Sequence, residues 1–412
     1  MRLPCVTICL LSGIFLACSA VNGEQGFGDD ADPLAVAKIW KANEIPEDYK
    51  DANRRFQGIP SVETTADGRV WATWFTGGNG EDHDNYVLLI TSEDHGETWS
   101  APLFAIDPQD TTRAYDPSLW CDPLGRLWIF WAQGNISARD ANNVHLKGPD
   151  GDKIRDCRAG TWCMISENPD AGTAATWSEP RRIADGLMLN KPMVDSRGQW
   201  LFPISVWRYH SRYPVAEELV IGPNVFVTTD EGKTFSLLGH SKLERSKSRF
   251  DEHNIVELSD GRLWILARTL AGCGEAYSED GGKTWTDVKP SPVIKQTSSR
   301  FYAQRLQSGN IMIVKNGPVG EDVGRNTIMA SLSEDDGKTW TEPLVLDERP
   351  NVTYPNGTQA KDGTIYVVWD RGRVQEKEIL MARFTEDDLK QSKLVSPESK
   401  TKILINKAQG GK

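Results

Sequence analysis

Histidine is scarce in this chain. There are six among 412 residues, scattered without the spacing of a ligand set, so a histidine-based metal centre is not expected; no cofactor is expected either. Basic runs are missing too. The formal net charge is −11, which argues against nucleic acid as a partner. Long apolar runs are almost absent. The one candidate, Val6 to Ala17, is too short to cross a bilayer, and no membrane span is expected elsewhere. With Arg2 before it and Cys18-Ser19-Ala20 after it, this stretch reads as a secretory signal over residues 1–20. Phe15-Leu16-Ala17-Cys18 also approaches a lipoprotein box, so the expected location is secreted or periplasmic, with Cys18 as a lipidation candidate. Of seven cysteines, Cys121, Cys157, Cys163 and Cys273 lie beyond that segment. They lack a zinc spacing, and Cys157 with Cys163 is the pair an oxidising compartment would allow.

Tryptophan, by contrast, is abundant, with 15 copies, and several sit in a repeated octet. Ser92 to Trp99, Ser278 to Trp285 and Ser333 to Trp340 all read S-x-D-x-G-x-T-W. Thr229 to Phe235 is a close variant. Ile165 to Asn168, interrupted before Thr176-Trp177-Ser178, is a degraded copy. The Asp accepts backbone N–H groups, the Gly tolerates positive φ, and the Trp packs inward to pin the turn. These octets report on the fold and not on the activity.

A second repeat is a Gly turn followed by alternating apolar residues, the pattern of a hairpin. It occurs at Gly68, Gly125, Gly198, Gly261, Gly309 and Gly363. Six copies, most followed by an octet, make four strands per repeat. The pattern predicts an all-β chain, a six-bladed β-propeller with four-stranded antiparallel blades. The expected layout is a leader over 21–50, the propeller over 51–395 and a tail over 396–412. The long step between Gly125 and Gly198 contains the polar residues 135–158, read as an inserted surface loop beside the axis.

Propeller chemistry is placed where strands converge on the axis, so charged residues at strand starts and ends are the candidates. Arg249-Phe250-Asp251-Glu252-His253-Asn254 crowds ionisable groups ahead of an apolar strand. Arg268 ends the next strand after five mostly apolar residues and requires a ligand or carboxylate partner. Arg325, Tyr354-Pro355, Glu81-Asp82-His83-Asp84 and Arg113-Ala114-Tyr115-Asp116-Pro117 occupy similar positions. Arg300, before Phe301-Tyr302, is a further candidate for the pocket wall.

With its octets and these residues, the chain resembles the sialidase (neuraminidase) superfamily from about Phe56 to Arg383. The resemblance implies a Tyr nucleophile at Tyr354, its base at Glu252, and an acid/base at Asp82 with Asp84 as the competing choice. It also implies carboxylate-binding arginines at Arg268 and Arg325. The family's first arginine stands in Phe-Arg-Ile-Pro, whereas this chain reads Phe56-Gln57-Gly58-Ile59-Pro60. Arg54 and Arg55 lie just upstream, and Arg55 is the candidate replacement. Arg113, Asp116 and His253 complete the expected substrate contacts.

A neutral Tyr avoids the repulsion that a carboxylate nucleophile would meet at a carbon bearing a carboxylate. The expected activity is therefore that of a secreted exo-glycosidase releasing terminal sialic acid from glycans. Two alternatives stay open. The missing first arginine favours a hydrolase or lyase on another acidic sugar such as a uronic acid, since two arginines still clamp a carboxylate. A non-catalytic glycan-binding propeller is the other.

Overall fold

The computed structural model describes residues 36–109, 112–134, 154–155, 159–207, 210–211 and 216–411. Six antiparallel sheets follow one another along the chain, four strands in each except the first, which gains a fifth. Their innermost strands are Gln57–Thr64, Arg113–Cys121, Met193–Val194, His253–Glu257, Tyr302–Arg305 and Val352–Gln359. The chain is thus the expected six-bladed propeller, and among the described residues it has no helix long and apolar enough to cross a membrane. Alternate residues of neighbouring blades interleave as the core, as where Trp128, Phe130, Phe202 and Trp200 of blades two and three pack together.

The folded body reaches beyond residues 51–395 at both ends. Lys38–Lys41 pairs with Phe104–Asp107 as the extra strand of blade one, and Lys400–Lys407 is the outer strand of blade six. All four strands of blade six come from one stretch of chain, so the ring is sealed without an exchanged strand, by backbone bonds such as the Gln57 amide to the Arg373 carbonyl at 3.1 Å and by side chains. Gln57 donates to the carbonyls of Lys377 at 2.6 Å and Asn406 at 3.3 Å. Arg54, fully buried beside it, donates to Asp51 and to the Asn406 side chain, both at 2.6 Å.

Each octet closes the link between the third and fourth strands of a blade. In the first, Asp94 accepts from Ser92 Oγ, the Thr98 amide and Thr98 Oγ1 at 2.6–2.8 Å, and the Trp99 indole donates to the Gly96 carbonyl. Asp230, Asp280 and Asp335 repeat the arrangement. In blade two Asn168 takes the part of the Asp, accepting from the Thr176 amide and hydroxyl, and Pro169–Ala174 fills the interruption. Blade six uses a short helix, Glu386–Gln391, closed on Asp388. The octet Gly is needed for its conformation, with φ of 85° at Gly96 and 93° at Gly282.

Antiparallel succession sorts the connections between two rims. The six Gly hairpins and the octets lie on one. The starts of first and third strands, and the ends of second strands, lie on the other. Glu81, Asp116, Glu252, Arg268, Arg300, Arg325 and Tyr354 all fall on that second rim. On the hairpin rim, inner strands of all six blades line a cavity of about 530 Å³, floored by a buried pair in which Lys191 donates to Glu63 at 2.8 Å. Cys163 is a buried free thiol. Its expected partner Cys157 lies outside the described residues, as do the signal segment and most of 135–158.

Candidate active site

Three inner strands carry the same irregularity. At Ile59-Pro60, Asp116-Pro117 and Tyr354-Pro355 the residue before proline has φ of 55°, 49° and 56°. The strand register breaks at each place, between Gly58 and Ser61, Tyr115 and Ser118, and Thr353 and Asn356. Proline cannot donate to a ladder, so it sits at a bulge, and a bulge re-aims the side chain beside it. Left-handed backbone at such residues costs about 1–3 kcal/mol each. The surrounding blades hold that strain, and two of the three side chains so aimed are Asp116 and Tyr354.

Tyr354 is buried, and its hydroxyl accepts from Arg268 Nη1 at 2.8 Å. The same nitrogen donates to Glu252 Oε1 at 2.7 Å, so phenol and carboxylate share one guanidinium. The other carboxylate oxygen, Glu252 Oε2, has no hydrogen-bond partner among the described residues. Register places these groups. Glu252 immediately precedes the inner strand of blade four, and its carbonyl accepts the Arg268 amide at 2.8 Å at the end of the neighbouring strand. Phe250 lies against the Arg268 guanidinium at 5.2 Å.

Four guanidinium groups surround the tyrosine ring. Their carbons lie 5.8 Å (Arg268), 5.5 Å (Arg300), 5.4 Å (Arg325) and 4.2 Å (Arg373) from its centroid. Burial pushes the Tyr354 phenol up, and Glu252 adds to this, while Arg268, Arg373 and Arg325 pull it back. Burial also raises Glu252, against the opposing pull of Arg268 and Arg300. Burial works against the Arg268 charge, but Glu252 and Tyr354 outweigh it and hold its pKa above the ordinary value. Asp116 is pushed up to about 7, first by burial and then by Glu81, with Arg113 opposing.

The other expected residues are distributed unevenly. Arg300 is fully buried and donates to the carbonyls of Leu189, Pro60 and Tyr354 at 2.9–3.0 Å, tying three blades together behind the tyrosine. Arg113 stacks on Tyr115 at 3.8 Å and donates to Asn85 at 3.1 Å. Arg325 is exposed at the rim, donating to the Ser298 carbonyl. His253 turns away from Tyr354 toward blade three, its Nδ1 2.9 Å from Ser205 Oγ, and burial lowers it to about 4. Asp251, beside it, is pushed up to about 6 by burial. Arg55 bonds Asn79 at 3.3 Å and borders a separate cavity of about 510 Å³ with Tyr49, His83 and Asp84.

Asp82 spends its two oxygens on its own loop, accepting the amides of Asn79 at 2.9 Å and Asp84 at 3.1 Å. Asp84 is exposed, 3.4 Å from His83. The neighbouring Glu81 turns toward the arginines, and its Oε1 lies 2.7 Å from Arg373 Nη1. Burial raises that carboxyl, but Arg373, Arg113, Arg325 and Arg268 together bring it below the usual range. Arg373 was not singled out from the sequence. It follows Arg371-Gly372 in a loop with no motif, and only blade closure brings it to the axis.

Residues 68–367 match the BNR repeat-like domain. The chain is 22% identical over 354 residues to a sialidase of Bacteroides fragilis, covering 78% of this chain and 61% of that protein. It is 25% identical over 346 residues to a sialidase of Micromonospora viridifaciens, covering 76% of this chain and 50% of that one. It therefore spans roughly half to three-fifths of these relatives. Among solved structures, the leech intramolecular trans-sialidase, in complex with 2,7-anhydro-Neu5Ac, superposes with a TM-score of 0.60 at 15% identity, covering 84% of this chain and 70% of that one. That likeness bears on the fold alone. With its octets, its six blades and the matched domain, the chain belongs to the sialidase superfamily of BNR-repeat propellers.

Proposed function

We propose that the protein is a retaining exo-glycosidase that releases a terminal acidic sugar, of the sialic acid type, from a glycan. The observation that carries this is Arg268 Nη1 bonding both the Tyr354 hydroxyl and the Glu252 carboxylate beneath a ring of guanidinium groups. A buried phenol held by a cation and next to a carboxylate is an activated nucleophile with a place for its proton. Tyr354 Oη attacks the anomeric carbon, its proton passes to Glu252, and the glycosidic bond breaks. The leaving oxygen takes a proton from the Asp82 carboxyl. Water then attacks the anomeric carbon, its proton passes to the Asp82 carboxylate, the bond from carbon to Tyr354 Oη breaks, and the phenolate recovers its proton from Glu252. Arg268 and Arg325 offset the substrate carboxylate and the phenolate charge. Asp116, protonated below neutral pH, donates to a sugar hydroxyl. The apolar run Val6–Ala17 supports export, so that the enzyme meets its glycans outside the cytoplasm.

Glycine at position 58 favours a second substrate, a uronic acid glycoside, since the strand itself supplies no arginine there. Parallel assays with 4-methylumbelliferyl sialoside and glucuronide separate the two. The first is expected to be cleaved. Cleavage of the glucuronide alone would transfer the same machinery to a uronic acid, and cleavage of neither by folded protein would remove the hydrolase reading. The acid is identified by leaving group. Asp82→Asn is expected to slow release of a sugar alcohol far more than release of methylumbelliferone, which departs without protonation, and Glu81→Gln is the comparison.

A further inference from the structure

We propose that Arg373, in the loop between the second and third strands of blade six, is the third carboxylate-binding arginine of this site. It projects into the space left by the side chain that Gly58 lacks. The inference rests on the acidic-sugar reading above and names a residue which that reading did not contain.

Gly58 immediately precedes Ile59-Pro60 on the inner strand of blade one. Its neighbour Gln57 is spent on the seam with blade six. A Cβ built on Gly58 would meet Arg373 Cδ at 2.8 Å, Cγ at 2.9 Å and Nε at 3.0 Å. Gly58 is not among the residues with positive φ. Its backbone is one that other residues adopt, so what glycine provides is room for the arginine stem.

The guanidinium carbon of Arg373 lies nearer the Tyr354 ring than those of the other three arginines. It is held from behind. Nε donates to Asp370 Oδ2 at 3.0 Å, and Asp370 is itself fixed by the Ile59 amide at 2.8 Å and by the Thr353 hydroxyl. The Arg373 carbonyl accepts the Gln57 amide at 3.1 Å, pinning the loop to blade one. On the open side Nη1 meets Glu81 Oε1 at 2.7 Å. Glu81 is half-exposed and also lies in the field of Arg113, Arg325 and Arg268. Its carboxylate marks where an anion rests among these arginines, and it stands in for the sugar carboxylate that would displace it. A planar fork whose Nε is already anchored loses little freedom in binding a second carboxylate through its terminal nitrogens.

The test compares wild type, Arg373→Ala, Gly58→Arg and the double variant Gly58→Arg/Arg373→Ala. Each is assayed on 4-methylumbelliferyl sialoside and glucuronide and titrated calorimetrically with N-acetylneuraminic acid and with glucuronic acid. Arg373→Ala is expected to lower kcat/KM, and affinity for the sugar acid, by about 100-fold, the loss of a charge-assisted pair. Gly58→Arg alone collides with Arg373 and is expected to lose activity. The double variant, which returns an arginine from the strand, is expected to recover at least about ten-fold over Arg373→Ala. Arg373→Ala with wild-type activity and affinity overturns the assignment, and so does a folded double variant no better than Arg373→Ala. If wild type cleaves neither glycoside but binds a sugar acid in an Arg373-dependent way, the arginine assignment stands and the hydrolase reading falls. If wild type binds and cleaves no acidic sugar, both fall.

Discussion

Replacing Glu252 by Gln removes one negative charge and keeps the shape. Both side chains of the Glu252–Arg268 pair are almost wholly buried, at 2% and 6% exposure. The charge of Glu252 also acts on Arg300 and Arg325. The amide oxygen can still accept from Arg268 Nη1, so what is lost is the compensation of buried guanidinium charge. Breaking a buried pair costs about 3–5 kcal/mol. A folded body of this size has an unfolding entropy of about 0.8 kcal/mol/K at the midpoint, at roughly 2.1 cal/mol/K per residue. The expected fall in Tm is therefore about 4–6 °C, read by differential scanning calorimetry at neutral pH. Activity should fall by about 100-fold or more, since the proton of Tyr354 loses its acceptor. A Glu252→Leu/Arg268→Leu double variant, with neither charge left in the core, should regain much of the lost stability and none of the activity. A Glu252→Gln protein that unfolds at the wild-type temperature would refute the reasoning, because the arginines would then not depend on this carboxylate.

Asp280→Ala removes the acceptor of two amides and two hydroxyls in its octet. A loss of about 2 kcal/mol is expected from urea titration, at roughly 1 kcal/mol per backbone bond, with kcat unchanged because the octet lies on the opposite rim. Asp116 has a folded pKa of about 7, above its ordinary value. Its contribution to stability is therefore present below about pH 4 and lost as pH rises through 7, by a few kcal/mol at most. Asp116→Asn should flatten the decline of Tm between pH 4 and 8, and an unchanged profile would refute the assignment of that decline to Asp116.

The architecture was legible because its signals are local. An Asp that accepts the amide of a Thr four residues on, and a Gly at positive φ, produce the same turn wherever they recur, and six hairpin glycines count six blades. Arg268 could be named because a charge ending an apolar strand demands a partner, whereas Glu252, Arg325 and Tyr354 stood out at strand starts and took their roles from the resemblance. Arg268 bonds Glu252 and the Tyr354 hydroxyl, and Arg325 lies near the Tyr354 ring. The direction in which a side chain leaves a strand was less legible. His253 follows Glu252 directly, so on a pleated strand it faces the other way, to Ser205. Arg300, sought as a pocket wall, is consumed by three carbonyls. Which carboxyl of Glu81-Asp82-His83-Asp84 turns inward is decided by the loop, where Asp82 closes on the amides of Asn79 and Asp84. Arg373 was invisible because blades one and six meet only when the ring closes. The outer strand Lys400–Lys407 was missed because its charged residues read as a tail, although Ile403 and Ile405 are buried.

The most direct test of the central claim is release of methylumbelliferone from its sialic acid glycoside by wild type and by Tyr354→Phe. The variant removes only the hydroxyl bonded to Arg268 and leaves the Glu252–Arg268 pair in place, so its fold and Tm should be nearly those of wild type. The account predicts release by wild type and a loss of about 1,000-fold or more in the variant. A well-folded Tyr354→Phe protein that retains wild-type turnover would contradict it, because the reacting carbon would then be attacked by some other group.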